Sequence, residues 1–363
     1  MKATAGFAPV PADQIENWPM WSRLLPHAKL FWEHREKNHD VRLVSSQSSI
    51  IASGLFAGMA SYLFSQGRCV EAEAPARQAV IIDQRELGEV AESTLINQDL
   101  LATILRSNGN FPESERLYRR VYAKCEQSLG PKHALNIVIR SHLAGLLTET
   151  GRHDEAEDLY RRGLESCRAI RGEDHRDTFE FKNNLGSLLQ DMGRFAEAEP
   201  LHNEAFKGYA TTAGIGPTHP DAIAARNNLA SSIEGQGRLE DAVPVYRNAL
   251  DACTKTLSNE HPLTLTCSNN FVSAMRNLAD SFNRGGRAKD AVAEVSACTE
   301  SLFQASAEMH RLHPALQSMI LLFGDVLAQA GHSHEDVKST INAMAVRNGF
   351  GIGTQPPNGD RPK

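Results

Sequence analysis

The 363-residue chain is poor in aromatics, 6% of its residues, and carries no excess of charge large enough to define a partner. Few rings exclude a core built on Trp and Phe and leave Leu and Ala to do the packing. Lys and Arg number 38 against 44 Asp and Glu, a net charge of −6. Without a basic excess to meet phosphates, nucleic acid is not expected as the main partner. The six cysteines (Cys69, Cys125, Cys167, Cys253, Cys267, Cys298) form no CxxC pair and no tight disulfide framework. The start MKATAGFAPVPADQ lacks the apolar core of a signal peptide. The best candidate span, SSIIASGLFAGMASYLF at 48–64, is 17 residues interrupted by serines, short of the roughly 20 apolar residues a span needs. A soluble, cytoplasmic protein without a membrane partner is the expectation.

What the chain does have is an internal repeat. Helix-stopping glycines stand at Gly67, Gly109, Gly151, Gly193, Gly237, Gly286 and Gly331, spaced by 42, 42, 42, 44, 49 and 45 residues. Eight residues before each glycine is a large apolar side chain, then a small one, then a large one again four before the glycine. Leu101-Ala102-Leu105, Leu143-Ala144-Leu147 and Leu229-Ala230-Ile233 are examples. Large–small–large at i, i+1 and i+4 is a helical stripe whose small residue lets another helix approach closely. Five residues after the glycine come Ala72, Ala156, Ala198, Ala242 and Ala291, inside a second amphipathic run such as HDEAEDLYRRGLESC. Each copy therefore reads as helix A, a tight turn on a left-handed glycine, and helix B.

This pattern resembles the tetratricopeptide repeat. The longer period and the linkers GPKHALNI, GEDHRDTF, GPTHPDAI and SNEHPLTL resemble its kinesin-light-chain-like subset, also found in the sensor arrays of NB-ARC-type signalling NTPases. The resemblance implies an all-α, right-handed α-solenoid of about seven helix pairs over 48–345. Residues 1–47 are expected to hold a capping helix, with Trp18, Trp21 and Leu25 over the first repeat, and 346–363 a disordered tail. No GxxxxGK[ST] loop is present, so the resemblance does not extend to the NTPase motor.

In that architecture helix A lines the concave surface. Counted from the turn glycine, Asn183-Asn184, Asn227-Asn228 and Arg276-Asn277 point away from the A/B contact, with Ser187 and Ser231 one turn further on. Asn269-Asn270 repeats the pair seven residues before Arg276-Asn277. The sixth copy is irregular: His261 to Gly286 spans 25 residues, against 18 in its neighbours, so its helix A is expected to be two turns longer. Asparagine both donates and accepts, and related arrays use such residues to hold extended peptides. The resemblance thus implies a protein or peptide partner in the groove, with no cofactor and no metal. Fixing the stacking of neighbouring repeats is the bland alternative for the same side chains. Two other readings stay open. One is a stand-alone sensor array acting with an NB-ARC-type NTPase. The other is an enzyme or small-molecule site using Cys267, Asp280 or His202, the last standing where other copies have tyrosine.

Two further groups read as structural. His133, His175, His219, His261 and His313 each stand near the start of a helix A. Equivalent helices stack about 8–10 Å apart, too far for these rings to share one ion, and capping is the expected role. Cys125, Cys167 and Cys253 fall sixteen residues after their glycines and read as small buried packing groups.

Overall fold

The computed structural model describes residues 46–350, apart from 131, 213–215 and 310, together with Met20, Ser22, Arg23, Pro26, His27 and Leu30. Five of the seven A helices start where a histidine turns its ring back on the chain. Nδ1 of His133, His175, His219, His261 and His313 accepts the backbone N–H two residues on, at 3.2–3.3 Å. His133, His175, His219 and His261 are N-caps and so satisfy one orphan donor of their helices, the role expected from the sequence, whereas His313 lies two residues ahead of the N-cap, Ala315. The A helices are α1 (Ser46–Ser65), α3 (Glu92–Ser107), α5 (Ala134–Glu149), α7 (Arg176–Asp191), α9 (Pro220–Gly235), α11 (Pro262–Arg284) and α13 (Leu316–Gln329). Each is followed by a B helix: α2 (Cys69–Glu86), α4 (Phe111–Ser128), α6 (His153–Arg171), α8 (Phe195–Thr211), α10 (Leu239–Thr256), α12 (Ala288–Glu308) and α14 (His334–Arg347). Among the described residues there is no strand.

The A-to-B turns share one geometry. All seven repeat glycines have φ between 71° and 91°, a region closed to most side chains. The residue after the glycine donates its N–H to the carbonyl four before it, as in Arg152 to Leu147 and Arg287 to Phe282, both 2.8 Å. That bond closes the end of helix A in a Schellman motif. The large residue of the buried stripe therefore also supplies the carbonyl that ends the helix. The stripe itself is buried in every copy, with Leu229 and Gly324 only half-buried. Opposite it, Ala72, Ala156, Ala198, Ala242 and Ala291 are completely buried, as close A/B packing demands.

By backbone contact the chain divides into two compact units, residues 1–172 and 173–363. The first holds α1–α6 and the second α7–α14. Within each unit, successive A helices touch one another, whereas each B helix packs on A helices. Helices that crowd on one side and stand apart on the other bend the stack, so the A helices form the inner layer of each unit.

Several expectations meet specific answers. Helix α11 has 23 residues against 16 in α3, α5, α7 and α9, the two extra turns read from the sequence. The apolar stretch expected to be too short for a span lies in a helix, Gln47–Ser65, that is long and apolar enough to cross a membrane by length and composition. In this fold it is the first A helix, with Phe56, Met59, Ala60 and Leu63 buried and α2 packed on it. The last helix ends at Arg347, two residues beyond the expected limit of the array. Trp18, Trp21 and Leu25 of the expected capping helix lie outside the described residues, as does the tail beyond 350. Met20 and Leu30, from the same segment, are helical and exposed.

Candidate functional site

The inner layer of the second unit is built from α7, α9, α11 and α13, and the asparagine pairs lie on the first three. Counted from the capping histidine, Asn183, Asn227 and Asn269 all stand eight residues on, and Asn184, Asn228 and Asn270 nine. That register decides what they do. Asn228 Nδ2 donates to Asn183 Oδ1 at 3.3 Å, and Asn270 Nδ2 donates to Asn227 Oδ1 at 3.2 Å. The second asparagine of one copy thus serves the first asparagine of the copy before. Stacked A helices are joined by a ladder of amide rungs, each worth about 1 kcal/mol.

The first unit holds a rung of the same kind made of other residues. Asp99 is eight after the α3 cap, Ala91, and His142 is nine after His133. Nδ1 of His142 lies 2.9 Å from Asp99 Oδ1. Sequence reading missed this pair because it looked for repeated asparagine; the count from the helix start would have found it.

The remaining candidates divide between rung supports and open groups. Asn183 also meets Nδ1 of His202 on α8 at 3.1 Å, so it faces the A/B contact rather than away from it. Asn227 is 5% exposed. The count back from the glycine placed both in the groove; the side chains instead turn to the acceptors and donors that packing provides. Ser187 accepts from Asn228 at 3.4 Å, and Ser231 is half-buried beside the Tyr246 hydroxyl. Asn277 donates to Glu234 at 2.8 Å, and Arg276 reaches Asp325 at 3.4 Å, both on exposed surface. In the lengthened copy the standard asparagine position is Asn269-Asn270, not Arg276-Asn277, because the two extra turns lie between the ladder and the glycine. The side chains of Asn184 and Asn269 make no hydrogen bond to a described residue. Asn269 is exposed, with Leu265 one turn below it on α11 and Leu321 exposed on the neighbouring α13.

The residues weighed for chemistry sit apart from one another. His202 is completely buried, and burial holds its pKa down at about 4, so the ring is neutral. It fills space left by Gly186, where an added Cβ would fall 2.7 Å from the ring. Cys267 is buried 3.7 Å from Cys253, and that contact with burial pushes its thiol well above the usual range. Asp280 is exposed on α11, as Asn269 is, whereas Cys267 faces the core. Cys125, Cys167 and Cys253 are completely buried, in keeping with their shared register. Among the described residues no three His, Cys, Asp or Glu converge as a metal site.

Helix pairs closed by a positive-φ glycine, packed through a large–small–large stripe and stacked with their A helices inward, define an α-solenoid of the repeat class. Tetratricopeptide repeat models match residues 93–165, 136–211, 183–255 and 222–348, and so cover most of that array. The chain belongs to the tetratricopeptide-repeat proteins. Among solved structures, BtubC (BKLC) from P. vanneervenii is 17% identical over 66% of this chain and 91% of its own, with a TM-score of 0.52. A Rap protein solved with competence and sporulation factor is 12% identical over 92% of this chain and all of its own, at 0.50. A putative kinesin light chain of nearly identical TPR-like repeats from Podosopora anserina is 22% identical over 56% and 96%, at 0.47. These likenesses are of fold. No curated protein sequence matches the chain.

Proposed function

We propose that the protein is a non-enzymatic scaffold whose inner helix layer binds a peptide segment of a partner protein. The reading rests on one observation: on the inner layer of the second unit, exposed groups without a folding role stand beside exposed leucines. The Asn269 side chain has no hydrogen-bond partner among the described residues, while Leu265 and Leu321 are 48% and 64% exposed on adjacent A helices. A free amide with an exposed leucine on its own helix and another on the next suits an extended chain, which offers backbone N–H and C=O groups at any sequence and side chains to the leucines. Arg276, held only by an exposed contact to Asp325, adds a place for a carboxylate. Asn183, Asn227, Asn228 and Asn270 set the spacing of the layer. The tetratricopeptide fold, shared with a Rap protein solved with a bound factor, supports binding rather than chemistry.

The test is selection of peptides on the full chain from a displayed random library, followed by affinity measurement. Selected peptides are expected to lose about tenfold or more with Asn269→Ala, Arg276→Ala and Leu321→Asp combined. Peptides that bind the triple variant as tightly as the original chain would sink the reading.

A further inference from the structure

Neighbouring B helices of the first unit are clamped by a repeated arginine. Arg77 and Arg119, each ten residues after a turn glycine, reach Glu113 and Glu155 on the next B helix at 2.7 Å. Both glutamates stand four residues after the following turn glycine. Arg247 has the same register after Gly237, and Asp290 stands four after Gly286. Yet this clamp is not made. Asp290 is held by Arg287 at 2.6 Å, and Arg247 turns to the Cys298 sulfur at 3.8 Å and the Ser301 hydroxyl.

The lengthened helix explains the change. Seven extra residues in α11 raise its closing turn by about 10 Å and slide α12 along α10 by two turns. Cys298 and Ser301, twelve and fifteen residues after Gly286, come to the level that the glutamate has in the earlier copies. The last turns of α11 then rise past the start of α10, and a cleft of about 410 Å³ opens between α10, α11 and α12.

Its walls are apolar at Val243, Pro244, Leu278 and Phe282. Four charges line it. Arg287 is committed, to Asp290, to Glu240 at 3.4 Å and to the Phe282 ring at 4.3 Å. Arg247 and Glu294 are not: among the described residues Arg247 has no carboxylate, and Glu294 no cation, within ion-pair distance. Asp251, one turn further along α10, acts on Arg247 only at longer range. Glu294 precedes Cys298 by one helical turn, about 5–6 Å, so two charges outside any close ion pair flank one turn of the cleft. An arginine fork matches a carboxylate, and a glutamate at that spacing matches an ammonium. Glu240, Glu294 and the nearby Asp290 oppose a multiply charged anion such as phosphate. We propose that this cleft binds a free hydrophobic amino acid, its carboxylate on Arg247, its ammonium on Glu294 and its side chain against Leu278 and Phe282.

The experiment is calorimetric titration of the full chain with L-leucine and L-phenylalanine. N-acetyl-L-phenylalanine, L-phenylalaninamide and inorganic phosphate serve as probes lacking one part of the ligand. Either amino acid is expected to bind, and each single-charge analogue to bind about tenfold more weakly. Arg247→Gln should remove binding. Glu294 is exposed and unpaired, so Glu294→Gln leaves the fold intact; it should weaken L-phenylalanine about tenfold and leave N-acetyl-L-phenylalanine unchanged. The proposal is overturned if neither amino acid binds at millimolar concentration, if phosphate binds more tightly, or if Glu294→Gln affects both phenylalanine ligands equally.

Discussion

Asn227 and Asn269 have the same residue type and the same register, and their surroundings give them opposite roles. Asn227 is buried and accepts from Asn270, whereas Asn269 is exposed with no described partner. Removing the Asn227 amide strands the Asn270 donor between two helices, and leaving such a group unmade costs more than the bond itself contributes. Asn227→Ala is therefore expected to lower the stability of the chain by about 1–2 kcal/mol, and Asn269→Ala by less than about 0.5 kcal/mol. Urea unfolding followed by circular dichroism measures both. An equal loss from the two substitutions would show that the rung does not carry the difference. The contrast also sorts the candidate site: Asn183, Asn227, Asn228 and Asn270 hold the layer together, and Asn269 faces the solvent.

At the scale of a helix, the reading of α11 can be put to a direct test. Deleting residues 270–276 joins Asn269 to Asn277 and restores N-N-L-A, the motif at Asn227-Asn228-Leu229-Ala230. Seven residues are close to two full turns, so the buried face continues in register across the join. The deleted chain is expected to fold, with helical circular dichroism reduced by about two turns. Arg247 should then recover Asp290 as its clamp, and with the cleft gone any binding of hydrophobic amino acids should vanish. Deleting five residues instead rotates the remaining face by about 140° and should unfold the second unit. If both deletions are equally tolerated, α11 is not held by its register. The length of this helix was legible in the sequence because glycine and histidine mark its two ends. What was not legible was the consequence for its neighbours. Position along a helix follows from counting, but which way Asn183 or Arg247 turns depends on partners from other helices, His202 of the same copy in one case and Ser301 of the next copy in the other. The glycine count even misassigned the standard asparagine position in this copy, since an insertion between two landmarks leaves only one of them valid.

For the molecule as a whole, acid sensitivity is expected to concentrate in the second unit. His202 and His313 both lie there, 0% and 3% exposed, and burial lowers each pKa to about 4. Unfolded histidine titrates near 6.5, so between about pH 6.5 and 4 the unfolded chain binds the extra protons. Stability is then full above pH 6.5 and falls as the pH drops through that window, by roughly 2 kcal/mol per histidine between pH 7 and 5. Glu113 and Glu155 in the first unit are held below the usual carboxylate range by hydrogen bonds from Arg77 and Arg119. Their stabilisation is lost at lower pH, below about 4.5, and so separates from the histidine window. Hydrogen exchange read by mass spectrometry at pH 7 and 5, corrected for intrinsic rates, should show protection falling in α8 and α13 while α3–α5 hold. His202→Leu should remove about half of the loss in α7–α14. Uniform loss of protection along the chain, or an unchanged pH response in His202→Leu, would contradict the assignment to these two rings.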